Sequence, residues 1–458
     1  MTQAVVKPTS KNKADRSAQV NCRIIGVLDD ALQSLSQQSI NYINQANIII
    51  GGSRTLRLFQ SHFSNATEQF DLTGNLSKIP QWITTAQKNK QQIIVLATGD
   101  PLCHGIAKYI HNKIDSATCE IIPNVSTIQL ACARLGLTWH DIKICSIHSK
   151  DTGEWQIGAD TSHGLYKLLQ LTQQYDKLAV FTSPENSPTR IAKMLKLEGF
   201  ELDFTITVVQ NILHENETTL GPMDINKAAQ SKFSDLNITI LQRCKLRTEK
   251  LLFGRADQSF KQRKPDKGLI TKREVRAVSL SRMQLTRNSI VWDIGAGSGS
   301  VGLEAAMLCP NGHIYAIEKN IDDFAIANQN KISMQVTNYT LINAKAPSHI
   351  EHWPSPNAIF VGGSGGELAE LISICITRML PSACLVMNFV TIENMATAVA
   401  TLKEIKDRHN TEKIDYTIEW DATQLSAARS KPILHMNRLQ AENPVWIVTV
   451  QKKLLHRK

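Results

Sequence analysis

Short apolar runs alternate along this chain with stretches in which apolar residues recur every third or fourth position. Residues 22–27, 46–50, 92–97 and 120–122 are such runs, and Leu32, Leu35 and Ile40 follow the first at helical spacing. Apolar runs that alternate with helices read as strands and predict an α/β unit with mainly parallel pairing. Further runs at 178–181, 203–209 and 237–241 carry this half to about residue 247. The second half keeps the rhythm, with strands predicted at 289–292, 313–317, 339–342, 358–361, 383–387, 416–420 and 445–450. A loop holding the basic run from Arg429 to Lys431 separates the last two. The predicted organisation is a disordered polar tail at 1–20, one α/β domain at 21–247, a linker rich in charge, glycine and proline at 248–266, and a second α/β domain at 267–458.

The sharpest chemistry lies in VWDIGAGSGSVGLEAA, residues 291–306. An apolar strand runs into Asp293, then into a loop with glycine at 295, 297 and 299, then into a helix with Val301, Ala305 and Leu308 on its apolar face. Glycine is needed there because a side chain would hold a ligand away from the backbone N–H groups and the helix N-terminus. Glu318, after the next strand, is placed to accept hydrogen bonds from two ribose hydroxyls. Gly297, Gly299 and Gly302 also satisfy G-x-G-x-x-G, so the loop alone reads as either a dinucleotide or an S-adenosylmethionine cradle. Asp293 favours S-adenosylmethionine, because its carboxylate would repel a pyrophosphate and attract a methionine ammonium. The expected cofactor contacts here are Asp293, Gly295, Ala296, Gly297, Ser298, Gly299 and Glu318.

Other segments carry less by themselves. Gly99-Asp100-Pro101 follows a strand and reads as a turn that lets a ligand approach, and Ser126 and Thr127 open a helix as caps or as contacts. Thr271 and Glu274 have capping-box spacing, and Lys267, Lys272, Arg273 and Arg276 crowd the same helix start, where they suit substrate carboxylates. The strand at 358–361 ends in Gly362-Gly363-Ser364-Gly365-Gly366; a nucleic-acid amino-methyltransferase would carry a base-clamping D/N-P-P-Y loop there. Gly363, Ser364 and Gly365 instead leave a floor for a flat substrate. No acid or base is identified, His435 being the candidate for that role.

Composition changes the picture little. The 458 residues are 42% hydrophobic and 20% charged, ordinary for globular chains, and no apolar run approaches the ~20 residues that span a bilayer. The first residues lack the apolar core of a secretion signal. Nine scattered cysteines without metal-ligand spacing read as reduced thiols in a cytoplasmic protein, and no metal is expected. The net charge of +10 suits an anionic partner, whether a nucleic acid, an acidic membrane or a small polycarboxylate.

GDPLCHGI, IPNVSTIQLACARLGLTW and TSPENSPTRIAKML resemble the tetrapyrrole methylase family, in its branch acting at C5 of the cobalamin-pathway ring. That resemblance implies two α/β subdomains with S-adenosylmethionine in their cleft, touched by Gly99, Asp100, Pro101, Ser126 and Thr127. One departure stands out: the branch opens with a G-x-G-x-D-G-like loop, where this chain has Leu28 and Ala31 in place of glycines. GLITKREVRA, WDIGAGSGSVGLEAA and AIFVGGSGGEL resemble the C15-methylating, decarboxylating class I methyltransferase domain of the same pathway. This second resemblance implies a seven-stranded Rossmann-like fold and cofactor contacts from Thr271, Gly295 to Gly299, Glu318 and Ala346. The last lies in NAKAP, where the family more often has G-D-A-P. The two together imply one S-adenosylmethionine site per domain, a polycarboxylate tetrapyrrole substrate, no nucleic acid and no membrane, and a homo-oligomer. An RNA methyltransferase, and a C15-methylating enzyme whose first domain is a binding scaffold, are the rival readings.

Overall fold

The computed structural model of the protein describes residues 21–114, 119–148, 151–246, 251–263, 270–363, 366–412 and 414–454. The expected tail at 1–20, both ends of the expected linker, Lys267, Ser364 and Gly365 lie outside them. Two compact units result: the first takes in residues up to Ser149 with Tyr175–Thr189 and Phe204–Arg243, the second Lys150–Gln174, Arg190–Asp203 and the chain from Cys244 on.

The first unit holds two sheets. Strands β1 (Cys22–Val27), β2 (Ile48–Gly51), β3 (Glu68–Asp71), β4 (Ile93–Thr98) and β5 (Cys119–Ile122) form a parallel sheet in the order β3-β2-β4-β1-β5. Alternate residues face opposite sides: Ile24, Ile50 and Val95 enter one apolar cluster and Ile25, Ile49 and Leu96 the other, so both faces are covered. The register Val27↔Thr98 ends β1 and β4 level, so the loops that follow them lie side by side. The second sheet, β6 (Lys143–Ser146), β7 (Lys177–Phe181), β8 (Phe204–Gln210), β9 (Thr218–Asp224) and β10 (Asn237–Arg243), has the order β6-β7-β10-β8-β9. Only β6 and β7 pair parallel here, whereas the mainly parallel pairing expected from the first four apolar runs is found in the first sheet. Neither β3 nor β9 was predicted, because both are largely exposed edge strands without an apolar run.

The second unit centres on one seven-stranded sheet. Its strands are β11 (Ile290–Ile294), β12 (His313–Glu318), β13 (Tyr339–Asn343), β14 (Ala358–Val361), β15 (Cys384–Phe389), β16 (Tyr416–Leu425) and β19 (Val445–Leu454), in the order β13-β12-β11-β14-β15-β19-β16. The first five are parallel and β19 runs antiparallel between β15 and β16. Trp292, Ile294, Tyr315 and Ile317 point into one cluster and Val291, Ile314 and Ala316 into the other, again one per face. The basic run expected in a loop is part of an exposed hairpin, β17 (Ala428–Ile433) with β18 (Met436–Ala441).

Two segments of this unit depart from the sequence-based domain plan. Residues 251–263, expected as linker, pack into the core: Phe260 is buried, and Gly254 and Arg255 donate their N–H groups to the Glu304 carboxylate at 2.9 and 2.8 Å. The helix Tyr166–Gln174 also belongs here, with Tyr166 Oη 2.5 Å from His313 Nδ1 and Gln170 Nε2 donating to Tyr166 and to the Gly312 carbonyl. Burial holds His313 neutral, pushed down to about 3.

Candidate functional site

Strand order reverses between β11 and β14, and the crevice outside their carboxyl ends is where an open α/β sheet receives a ligand. A cavity of about 320 Å³ lies there, walled by Gly295, Gly297, Ser298, Glu318, Ala346 and Gly363 among others. The loop after β11 is pinned on both sides, since Gly295 and Ala296 donate to the Ile317 carbonyl at 3.0 and 3.1 Å and Gly362 donates to the Ile294 carbonyl at 2.9 Å. Gly295, Gly297 and Gly299 all have left-handed backbones, with φ of 72°, 54° and 77°. A Cβ on Gly295 would also stand 2.7 Å from the Gly363 carbonyl oxygen, so the loop needs glycine twice over.

Glu318 ends β12 with its carboxylate over this loop. Gly297 N–H donates to Oε2 and Asn320 N–H to Oε1, each at 2.8 Å. Each oxygen keeps a further lone pair for a ligand hydroxyl. Ser298 Oγ is buried, has no hydrogen-bond partner among the described residues and lines the same cavity. A glycine cradle, an acceptor pair aimed by backbone and an unpartnered hydroxyl fit an adenosine group.

Asp293 does not fit the role expected of it. It is 1% exposed and is not part of the cavity wall; its Oδ2 turns under the loop to accept the Gly302 N–H at 3.1 Å. A Cβ on Gly302 would stand 2.3 Å from that oxygen, so the third glycine of the fingerprint makes room for the carboxylate. Burial, with the nearby Glu318 charge adding to it, pushes Asp293 up to about 7. Asp293 therefore braces the loop from below.

The other sequence candidates divide. Ala346 and Gly363 line the cavity, while Ala296 and Gly299 shape the loop through the Gly299 N–H to Ala296 carbonyl bond at 2.8 Å. Thr271 lies outside the wall; its carbonyl accepts from Arg276 Nη1 at 2.7 Å, and the expected capping box is not formed, since Lys272 and not Thr271 is the N-cap and Glu274 pairs with Arg429. Arg276 is fully buried between Asp257 and Glu304, at 3.2 and 3.3 Å, so it cannot also take a substrate carboxylate. Lys272 and Arg273 are exposed at the helix start. His435 sits in the exposed turn of the β17–β18 hairpin and is not among the residues that wall the cavity. Arg263 and Asp323, paired at 2.7 Å, line the cavity and were not anticipated, the first because it lay in the expected linker. Asn343 donates to the Glu318 carbonyl at 2.8 Å and fastens β13 to β12.

In the first unit the two sequence motifs meet. A Cβ on Gly99 would lie 3.4 Å from Ser126 Cα and from Thr127 N, so the turn after β4 and the helix after β5 form one edge. Gly99 is left-handed, with φ of 69°, and donates its N–H to the Val27 carbonyl at 2.7 Å. Asp100 Oδ1 accepts the Leu102 N–H at 2.8 Å, which closes the turn at Pro101. Ser126 caps the helix Thr127–Leu135 in a complete capping box with Gln129. Leu28, where the branch has glycine, is buried and bridged to Ala31, whose φ of 57° keeps the left-handed turn.

Two family models match the chain: precorrin methyltransferase domain over residues 264–452, and tetrapyrrole (corrin/porphyrin) methylases over residues 22–225. The chain is 28% identical over 378 residues to a precorrin-6Y C(5,15)-methyltransferase [decarboxylating] from Sinorhizobium sp, covering 80% of this chain and 84% of that protein. It is 33% identical over 187 residues to a cobalt-precorrin-6B C(15)-methyltransferase (decarboxylating) from Salmonella typhimurium, covering 41% of this chain and 91% of that protein. A probable cobalt-precorrin-7 C(5)-methyltransferase from Methanocaldococcus jannaschii is 27% identical over 222 residues, covering 48% of this chain and 96% of its own. With a tetrapyrrole methylase half joined to a precorrin methyltransferase half in one polypeptide, the chain belongs to the precorrin-6Y C5,15-methyltransferase (decarboxylating) family.

Proposed function

We propose that the protein methylates a precorrin at C5 and C15 and removes the C12 acetate carboxyl as CO2, in cobalamin biosynthesis, with one S-adenosylmethionine site in each half. The observation that carries this reading is the cavity at the ends of β11, β12 and β14, where a left-handed glycine loop faces Glu318. S-adenosylmethionine supplies a sulfonium-bound methyl, an electrophile with its leaving group attached. The chain's task is to align a ring carbon with it and to keep water away. Glu318 accepts from the ribose hydroxyls, Ser298 offers its hydroxyl, and the glycine loop lets the ligand reach the backbone N–H groups. Lys272 and Arg273 take substrate carboxylates at the surface. The conjugated ring itself takes up the electron pair released with CO2. In the first half, Gly99, Asp100, Pro101, Ser126 and Thr127 form the second cofactor edge. The enzyme acts in this reading as a cytoplasmic homo-oligomer on a small diffusible substrate.

Mass spectrometry of the macrocycle after incubation with S-adenosylmethionine tests the scheme: two added methyls and one lost CO2 are expected. Calorimetry is expected to count two S-adenosylmethionine sites per chain. A single site with methylation at C15 alone would leave the first half as a scaffold, and methylation of bulk RNA with the macrocycle untouched would end the corrin reading.

A further inference from the structure

At the cofactor edge of the first unit lies a charged cluster that neither the glycine turn nor the helix start uses. Asp29 follows β1 by two residues, and Arg54 lies in the helix Ser53–Phe59 directly after β2, both at carboxyl ends of parallel strands. The Gly99 N–H to Val27 carbonyl bond fixes the loop of Asp29 against the turn at Gly99, Asp100 and Pro101. His214 arrives from the other sheet, in the loop between β8 and β9, and its Nε2 lies 3.1 Å from Asp29 Oδ2, the oxygen that also pairs with Arg54. A carboxylate in an ion pair can only accept, so Nε2 carries the proton of that bond, and Nδ1 is the nitrogen left to take up or release a proton.

The loop that presents His214 is held in an uncommon backbone. Asn211 and Leu213 have φ of 51° and 70°, values that side chains other than glycine rarely adopt. The loop is braced to keep them: Leu213 N–H donates to Glu217 at 2.7 Å, Glu217 pairs with Arg134 at 2.6 Å, and Ser234 Oγ donates to Asn211 Oδ1 at 2.8 Å. Backbone of this kind persists where its surroundings over-determine it, and it gathers at working sites. The His214 side chain is 37% exposed, so it is neither packed away nor free in solvent.

We infer that His214 is the proton acceptor for methylation in the first unit, with Asp29 as its positioning residue; the inference rests on the reading above that this unit methylates C5. A ring carbon that bears hydrogen needs such a group. Its π pair forms the new C–CH3 bond while the S–CH3 pair stays on sulfur. The C–H pair of the methylated carbon then restores the conjugation, and the proton passes to His214 Nδ1. Asp29 faces the imidazolium that results.

The test uses the full chain, with the C5 and C15 methyls distinguished by fragment masses. His214→Gln and His214→Ala are each expected to keep two S-adenosylmethionine sites by calorimetry and to lose C5 methylation by about 100-fold or more. Added imidazole is expected to restore part of the rate in the alanine variant. Nitrogen-15 NMR of histidine-labelled protein is expected to show His214 as the Nε2–H tautomer, and as a mixture in Asp29→Asn. C5 methylation at the parent rate in either His214 variant overturns the inference, and so does the loss of one S-adenosylmethionine site in both, which marks a structural role. Failure of the unaltered chain to methylate C5 overturns instead the reading of the first half, and the inference with it.

Discussion

Asp293 occupies the last but one position of a fully covered strand, and its carboxyl must find a partner there or stay neutral. It finds one N–H, from Gly302, while its second oxygen has no partner among the described residues, so burial wins and the carboxyl is pushed up to about 7. A carboxyl whose pKa is higher folded than unfolded binds more protons in the folded state between about 3.8 and about 7, so stability falls as pH rises through that window. Asp293→Asn is expected to remove this contribution, so that the variant's urea midpoints gain on those of the parent as pH rises from 4 to 7, while the opposing contribution of the buried, neutral His313 is common to both. The glycines at 295, 297 and 299 were legible in the sequence because a left-handed backbone leaves few other residues possible. The direction of the Asp293 carboxylate was not, since a D-x-G pattern says nothing of which side of the loop the side chain takes. Gly302 held that information: its bare Cα is the space the carboxylate fills.

Among the elements, the helix Arg273–Arg282 shows how a correct position can carry a wrong role. Four cations near its start read as a carboxylate grip, yet Arg276 turns inward to Asp257 and Glu304, and Arg429 reaches Asp257 and Glu274 from the exposed hairpin. Sequence periodicity marks the buried face only through apolar residues, so a buried ion network looks like surface. Glu304 is the hub, with no exposure and three partners: Arg276, Gly254 N–H and Arg255 N–H. Removing one member of a buried pair strands the other, which costs about 3–5 kcal/mol. Glu304→Gln is expected to destabilise the second unit by that order, seen as a lower urea midpoint, and to speed proteolysis within 251–263. The strands were read more easily than this network because β11, β12, β14 and β15 are buried along nearly their whole length, whereas the polar edges β3, β9, β17 and β18 left no apolar signal.

At the scale of the whole molecule, the compact units do not follow the two halves of the sequence. Residues 150–174 and 190–203 precede the expected boundary at 247 and yet pack with the later chain, through single polar residues such as Tyr166, Gln170 and His313. Such contacts have no period and no composition, so nothing in the sequence announces them. The stretch 251–263 misled in the opposite sense, its charge and glycine reading as a tether while Phe260 and Asp257 sit inside the fold and Arg263 lines the cavity at the ends of β11, β12 and β14. A truncated protein beginning at residue 264 is expected to unfold at lower urea and to bind S-adenosylmethionine more weakly than one beginning at residue 251, measured by denaturation and calorimetry on both. Exchange of methylating modules among such double enzymes would therefore break at the charge-rich seam that looks safest to cut. A graft that respects the fold must carry this short stretch with the module it precedes, and must also keep partners for the surface that Tyr166 and Gln170 cover.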